Sequence, residues 1–128
     1  MTASSIDRPM SDLVRIHVSG TAPEMRVVAD GEIDCTSAPV LREQLTSLLD
    51  DGVTDLTVDL TAVSFLDSAG LCVLAAAHRM AAERDVAFRV LASSRAVIRP
   101  LQITGLWNLL KAEQVEAGAA EREGVGAA

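Results

Sequence analysis

The sequence predicts a single α/β domain, in which a mixed and mostly parallel sheet of four or five strands carries packed helices. Stretches that alternate apolar and polar residues, as strands with one buried face do, are separated by stretches with helical spacing of apolar residues. The pattern of residues 56–91 predicts a strand, a helix and a second strand. The two strands of such a unit are parallel, with a right-handed crossover, in nearly all known cases. The length of 128 residues, 49% of them apolar, suits one domain with a sizeable core.

Two strands open the predicted domain, over residues 13–19 and 25–33, because each alternates apolar with polar side chains. The connection at residues 20–24 is short and contains proline, so the two strands are predicted to pair antiparallel. His17 falls on the more polar side of the first strand. It is interpreted as a solvated side chain, since the sequence locates no carboxylate or nucleophile to act with it.

The first helix follows the second strand directly. Residues 34–37 supply capping side chains, Pro39 fits a first helical turn, and leucines recur at helical spacing until the chain turns at residues 50–52. Asp34, at this strand-to-helix junction, has two interpretations: a carboxylate that satisfies free N–H groups and the helix dipole, or part of a functional surface. The leucines of the predicted apolar face are Leu41, Leu45, Leu48 and Leu49.

The centre of the chain is a second strand-to-helix junction. A third strand over residues 56–60 continues through apolar positions, the chain turns at residues 67–70, and good helix formers run from residue 69 to about 84. Ser68 is predicted to lie at or next to the N-cap, where its hydroxyl can accept from a free N–H and the helix dipole favours added negative charge. A serine there is a natural place for a phosphate. The helix carries Leu71, Leu74, Ala75 and His78 on one face.

A fourth strand, over residues 86–91, completes the predicted strand-helix-strand unit. Ser93 or Ser94 can cap a further helix, and Gly105 is placed as its C-terminal stop. Pro100 lies inside this pattern and removes one helical hydrogen bond, so the helix is predicted to be short, bent or late in starting. Its apolar positions are Val97, Ile98, Leu101 and Ile103.

The two ends of the chain contrast with its middle. Residues 106–110 are predicted to add a last short strand, which ends a domain spanning residues 13–110. Residues 1–12 and 111–128 show little apolar periodicity and are predicted to be flexible tails.

Composition excludes several classes of function. A net charge of −7 and a pI near 4.7 oppose binding to nucleic acid, and 2% aromatic residues are too few for a base-stacking surface. No apolar run approaches the 18 or so residues that span a bilayer, so we expect a cytoplasmic protein without membrane contact. Cys35 and Cys72 are expected to be buried or partly buried free thiols. No metal site or cofactor is predicted.

Five sequence elements, in order along the chain, resemble the STAS domain, and within it the stand-alone bacterial anti-sigma factor antagonists. They are Gly-Glu-Ile-Asp at residues 31–34, Thr-Ser-Ala-Pro at 36–39, the strand at 56–60, Phe-Leu-Asp-Ser-Ala-Gly-Leu at 65–71, and Thr-Gly-Leu at 104–106. The resemblance implies that Ser68 is phosphorylated by the anti-sigma factor, an ATP-binding serine kinase similar to histidine kinases. The unphosphorylated antagonist binds that kinase and thereby frees the sigma factor.

The resemblance also implies which residues form the site. Many family members carry a second serine where this chain has Ala69, which leaves Ser68 as the sole phosphate acceptor in the turn. The protein is expected to be a monomer that acts by contact and has no catalytic residues. The residues expected to contact the partner are Asp34, Thr36, Asp67, Ser68, Ala69 and Gly70.

Three other interpretations of the junction at Ser68 stay open. Ser68 and Asp67 can be merely a helix cap and a turn residue. A hydrolase would use Ser68 as a nucleophile, but the G-x-S-x-G pattern needs glycine where this chain has Leu66, and no histidine follows His78. A STAS subunit can also scaffold a transporter-associated or stress-sensing complex without any phosphorylation switch.

Overall fold

The computed structural model describes residues 13–116. The predicted N-terminal tail, residues 1–12, and residues 117–128 of the predicted C-terminal tail lie outside the described residues. Among the described helices, none combines the length and the apolar character that a bilayer crossing requires. The elements are β1 (Val14–Thr21), β2 (Glu24–Ile33), α1 (Ala38–Asp50), β3 (Asp55–Leu66), α2 (Ser68–Glu83), β4 (Ala87–Ala92), α3 (Arg95–Ile103), α4 (Leu106–Leu109) and β5 (Glu113–Gln114).

The sheet has five strands in the order β1-β2-β3-β4-β5. β1 pairs antiparallel with β2 through a tight turn, whereas β2, β3, β4 and β5 run parallel to one another. Each parallel pair is joined by a helical connection, as parallel strands require. The predicted fold class, the antiparallel first pair and the parallel β3 and β4 are therefore confirmed.

The core lies between this sheet and its helices. α1 buries the four leucines of its predicted face and packs against α2, while α3 packs against β3. The middle of β3, residues 58–61, is buried throughout, which makes β3 the centre of the domain. The largest fully buried side chains include Ile33, Leu41, Leu45, Leu56, Leu60, Leu74 and Leu101.

β3 carries two irregularities that set the position of its end. Its register against β2 shifts by one extra residue between Asp59 and Ala62, and by another between Val63 and Phe65. In the first, the buried carboxylate of Asp59 accepts from the backbone N–H of Thr61 at 2.9 Å, and the other carboxylate oxygen lies 3.4 Å from Arg26 on β2. Such bulges redirect a strand locally.

The buried face of α2 differs from the predicted one. Leu74 is buried as expected, but Leu71, Ala75 and His78 are only half-buried. The helix is rotated because its start is fixed by the close packing of Gly70, which the strand pattern did not reveal. The buried side is formed by Gly70, Val73, Leu74, Ala77 and Ala81.

The C-terminal part corrects two further predictions. Residues predicted as a last strand form the helix α4 instead. The residue before α4, Gly105, has a left-handed backbone conformation with φ of 81°. The strand that does close the sheet is β5, which pairs with Leu91 and Ala92 and lies beyond the predicted domain end at residue 110. Gly105 ends α3 as predicted, and α3 is short, with Pro100 inside it.

Both cysteines are free, as predicted, but neither is buried. Cys35 lies in the turn between β2 and α1, and Cys72 lies on the outer side of α2. The expectation of buried thiols was wrong because it rested on the usual burial of cysteine rather than on the local pattern.

Candidate functional site

The two strand-to-helix junctions meet at one edge of the sheet. β2 and β3 are parallel neighbours, and their last residues, Ile33 and Leu66, stand opposite each other. The backbone N–H of Asp67 donates to the carbonyl of Ile33 at 3.1 Å, which ties the two strand ends together. Residues 34–37 and 67–70, called the paired junctions below, therefore lie side by side although residues 38–66 separate them in the sequence.

The first junction is organised by the Asp34 carboxylate. One of its oxygens accepts from the backbone N–H of Thr36 at 2.9 Å, from the Thr36 hydroxyl at 2.7 Å and from the N–H of Ser37 at 3.1 Å. The carboxylate thus satisfies free N–H groups, as one of its two interpretations predicted, but these groups belong to the turn before the helix and not to α1, whose N-cap is Ser37. Thr36 is exposed, so the same turn presents its side chain at the surface.

Ser37 is a residue of this junction that sequence reasoning did not single out. Its side chain is fully buried, its hydroxyl donates to the carbonyl of Glu32 at 2.8 Å, and it accepts from the N–H of Asp34 at 2.9 Å. The hydroxyl thereby satisfies buried backbone groups on both sides of the turn. A serine placed just before a proline-containing first helical turn was the available signal.

The hydrogen bonds from Thr36, chiefly from its hydroxyl and then from its N–H, hold the pKa of Asp34 below the ordinary value of 3.8. The ionised carboxylate is the form that the turn stabilises, so its contribution is present above the unfolded-state pKa and is lost as pH falls through the lower, folded-state pKa. The first junction is therefore fully formed at neutral pH.

Replacing Thr36 by valine removes the hydroxyl donor and is expected to raise the pKa of Asp34 toward its ordinary value. A ¹³C NMR titration of the Asp34 carboxyl carbon measures this directly in wild type and T36V. The matched variant T46V, on α1 away from the turn, should leave the titration midpoint unchanged. An unchanged midpoint in T36V would show that the hydroxyl does not stabilise the carboxylate.

The second junction is capped by Asp67. Its backbone is extended, and one carboxylate oxygen accepts from the N–H of Ala69 at 2.8 Å and of Gly70 at 3.4 Å. Ser68 is the first residue of α2 and is exposed, and none of the described residues forms a hydrogen bond with its hydroxyl. The position next to the N-cap is confirmed, whereas the expected bond from a free N–H to Ser68 is not formed. Asp67 already takes the two amide donors.

Gly70 allows α2 to start against the strand ends. It is buried, and a Cβ atom at this position would collide with the side chains of Leu66 and Ile33, the latter at 2.8 Å. Both neighbours belong to the packed core, so they have little room to move. Gly70 therefore shapes the junction from beneath, while Ala69 is half-buried beside it.

Replacing Asp67 by alanine is expected to lower the free energy of unfolding by about 1 kcal/mol, because two N–H groups of the first turn lose their acceptor. D67N retains an oxygen acceptor and should cost clearly less. Urea unfolding followed by circular dichroism compares both with wild type. Equal stability of D67A and wild type would contradict the capping role of this side chain.

Neither histidine lies close to Ser68. His78 lies further along α2, about 15 Å away at 1.5 Å per residue, with its ring against Phe88 at a centroid distance of 6.2 Å. His17 is opposite Val28, about 16 Å before the end of β2. Within residues 13–116 no group of three or more His, Cys, Asp or Glu side chains is placed to hold a metal ion. Neither histidine is therefore placed to act as the base that the hydrolase interpretation needs.

Comparison with known proteins places this fold and these junctions in a family. The family model of the STAS domain matches residues 15–119. The chain belongs to the STAS-domain family. The resemblance predicted from the sequence elements is thereby confirmed.

Several similar proteins are named as anti-sigma factor antagonists. The chain is 35% identical over 97 residues to the anti-sigma-B factor antagonist of Bacillus subtilis (strain 168), covering 76% of this chain and 88% of that one. It resembles the crystal structure of an anti-sigma factor antagonist from Mycobacterium paratuberculosis with a TM-score of 0.71 and 32% identity, over 82% and 87% of the two chains. Unphosphorylated SpoIIAA shares the fold, with a TM-score of 0.70 and 18% identity, over 88% and 97%.

Proposed function

We propose that this protein is an anti-sigma factor antagonist that binds an anti-sigma factor with serine kinase activity, and that phosphorylation of Ser68 abolishes this binding. The observation that carries the proposal is the Ser68 side chain: exposed, on the first residue of α2, and without a hydrogen bond to the described residues. A hydroxyl that no local group uses is open to a kinase. The anti-sigma factor antagonists among the relatives support the same assignment.

The partner surface proposed here is the paired junctions. Thr36 and Ser68 are exposed, and the carboxylates of Asp34 and Asp67 are half-buried beside them. Gly70 is buried and contributes by letting α2 start against the strand ends, while Ala69 is half-buried beside Ser68.

The phosphate would act at the surface rather than on the fold. It adds a charge of about −1.5 to −2 at neutral pH. The N–H groups of Ala69 and Gly70 are already bonded to Asp67, so the phosphate must compete with that carboxylate or point outward beside it. Against a partner fitted to a neutral hydroxyl, an unpaired charge of this size is costly to bury. Binding is lost while the domain stays folded.

The proposed role needs contact but no catalysis by this chain. We expect the antagonist to act in the cytoplasm as a monomer, exchanging between free and kinase-bound forms. The sigma factor is released when the antagonist occupies its kinase, so the effect on transcription is indirect.

A pull-down from the source cells tests this function, with wild type, S68A and S68D as baits. We expect wild type and S68A to recover an ATP-binding serine kinase with anti-sigma activity and S68D to lose it, while intact mass shows one phosphate on wild type and none on S68A. The matched control S47D adds the same charge on the exposed side of α1 and should recover the kinase. The same partners on all baits, with no phosphate on Ser68, would contradict the proposal and favour a scaffolding role.

A further inference from the structure

Charge is unevenly distributed along this acidic chain. Although the net charge is −7, no acidic residue occurs between Asp85 and Glu113. This segment forms β4, α3 and α4. Its basic residues are Arg89, Arg95, Arg99 and Lys111. The C-terminal third of the domain is therefore a positive region on a negative protein.

The basic residues of α3 lie on its outward side. Arg95, Arg99 and Ile103 are spaced four residues apart, so they line one face of the helix, called the α3 face below. All three are exposed, and Ile103 has 74% of its surface in contact with solvent. No described residue pairs with either arginine. The α3 face thus combines two unneutralised cations with an apolar side chain.

The start of α3 is bonded to the strand that leads into the second junction. The hydroxyls of Ser93 and Ser94 donate to the carbonyls of Thr61 at 3.0 Å and Val63 at 3.3 Å, in the last part of β3. β3 ends at Leu66, immediately before the second junction. Between these points the aromatic ring of Phe65 is 47% exposed. The α3 face therefore begins beside the C-terminal half of β3, the strand that ends at the second junction.

We infer that the α3 face is a second part of the surface that binds the anti-sigma factor kinase, and that it meets an acidic patch on that partner. The inference rests on the proposed function and adds a contact that does not depend on Ser68. Two unpaired arginines on an otherwise acidic protein attract an acidic surface over several ångströms and orient the approaching molecules. The main effect is on the rate of association.

Stopped-flow association kinetics with the purified kinase recovered by the wild-type bait tests this inference. The proteins compared are wild type, R95E/R99E, S68D and the control R15E/R79E, which reverses two exposed arginines outside the positive region and so changes net charge equally. At low ionic strength R95E/R99E is expected to associate at least about tenfold more slowly than wild type, and R15E/R79E at a rate close to that of wild type. In about 1 M salt, where the Debye length is about 3 Å, the difference should largely disappear.

Equal slowing in both double variants would overturn the inference, since only overall charge would matter. Normal association of R95E/R99E with loss of binding by S68D would overturn it while the proposed function stands. Binding of S68D as tight as wild type, with slow R95E/R99E, would overturn the switch and leave the α3 contact. If circular dichroism shows that R95E/R99E does not fold, R95Q/R99Q replaces it in the same comparison, because this variant removes both charges without reversing them.

Discussion

S68D is expected to bind the anti-sigma factor kinase about a hundredfold more weakly than wild type, a difference of about 2.7 kcal/mol. The carboxylate would be placed beside Asp67 on the exposed first residue of α2, where the nearest amide donors are already bonded to Asp67. A charge without a partner, buried at an interface fitted to a hydroxyl, carries a penalty of this order. Isothermal titration calorimetry with the purified kinase measures the dissociation constant.

S68A is the control for this effect. It removes a hydroxyl that forms no hydrogen bond with the described residues. The free energy of unfolding should therefore stay close to that of wild type, and the dissociation constant should change by no more than a few fold. The phosphorylated protein carries about twice the charge of S68D and should bind more weakly still. If S68A weakened binding as much as S68D, the hydroxyl itself would be the recognised group and the electrostatic account would be wrong.

G70V is expected to lower the free energy of unfolding by about 2 to 3 kcal/mol, because its side chain must displace Leu66 and Ile33 from a packed core. The loss would occur although valine forms helix better than glycine does. Urea unfolding monitored by circular dichroism gives the change in midpoint, and affinity for the kinase should fall as well, since the turn carrying Ser68 must shift.

The comparison variant for G70V is A82V, on the exposed side of the same helix. A82V is expected to lower the free energy of unfolding by about 0.5 kcal/mol, because a branched side chain is less favourable than alanine in a helix. It causes no steric collision. Stability of G70V equal to that of A82V would show that the strand ends yield to a side chain at this position. The close packing of α2 on the two strands would then be less restrictive than the geometry indicates.

The sequence was sufficient to predict four of the five strands, because strand alternation and connection length are local signals. The short turn after β1 predicted an antiparallel partner, and the helix between β3 and β4 predicted a parallel one. The proximity of the junctions at Asp34 and Asp67 follows from the same rule, since adjacent parallel strands end at one edge. The family resemblance rested on the residues of these junctions and was equally readable.

The identity of the cap could not be read from the sequence. Asp67 and Ser68 are adjacent, and both are good N-cap residues. The choice depends on backbone conformation: Asp67 is extended, with φ of −107° and ψ of −169°, and Ser68 is already helical. This single-residue difference leaves the Ser68 hydroxyl without a hydrogen bond to the described residues, as the proposed phosphorylation requires.

Long-range packing explains the other differences. The rotation of α2 depends on contact between Gly70 and Ile33, which are distant in the sequence. The apolar residues of α4 form too short a run to distinguish a strand from a helical turn. β5 consists of Glu113 and Gln114, which have no apolar pattern, and it exists only because the edge of β4 offers backbone partners.

The most direct test of the central claim uses the native modification rather than a substitute. Wild-type protein phosphorylated by its kinase, with the site mapped to Ser68 by mass spectrometry, is compared by calorimetry with the same preparation after dephosphorylation. The account predicts tight binding of the dephosphorylated protein to the kinase, and binding about a thousandfold weaker, or about 4 kcal/mol, once Ser68 carries phosphate. Equal affinity of the two forms, or a phosphate mapped to a residue other than Ser68, would contradict it.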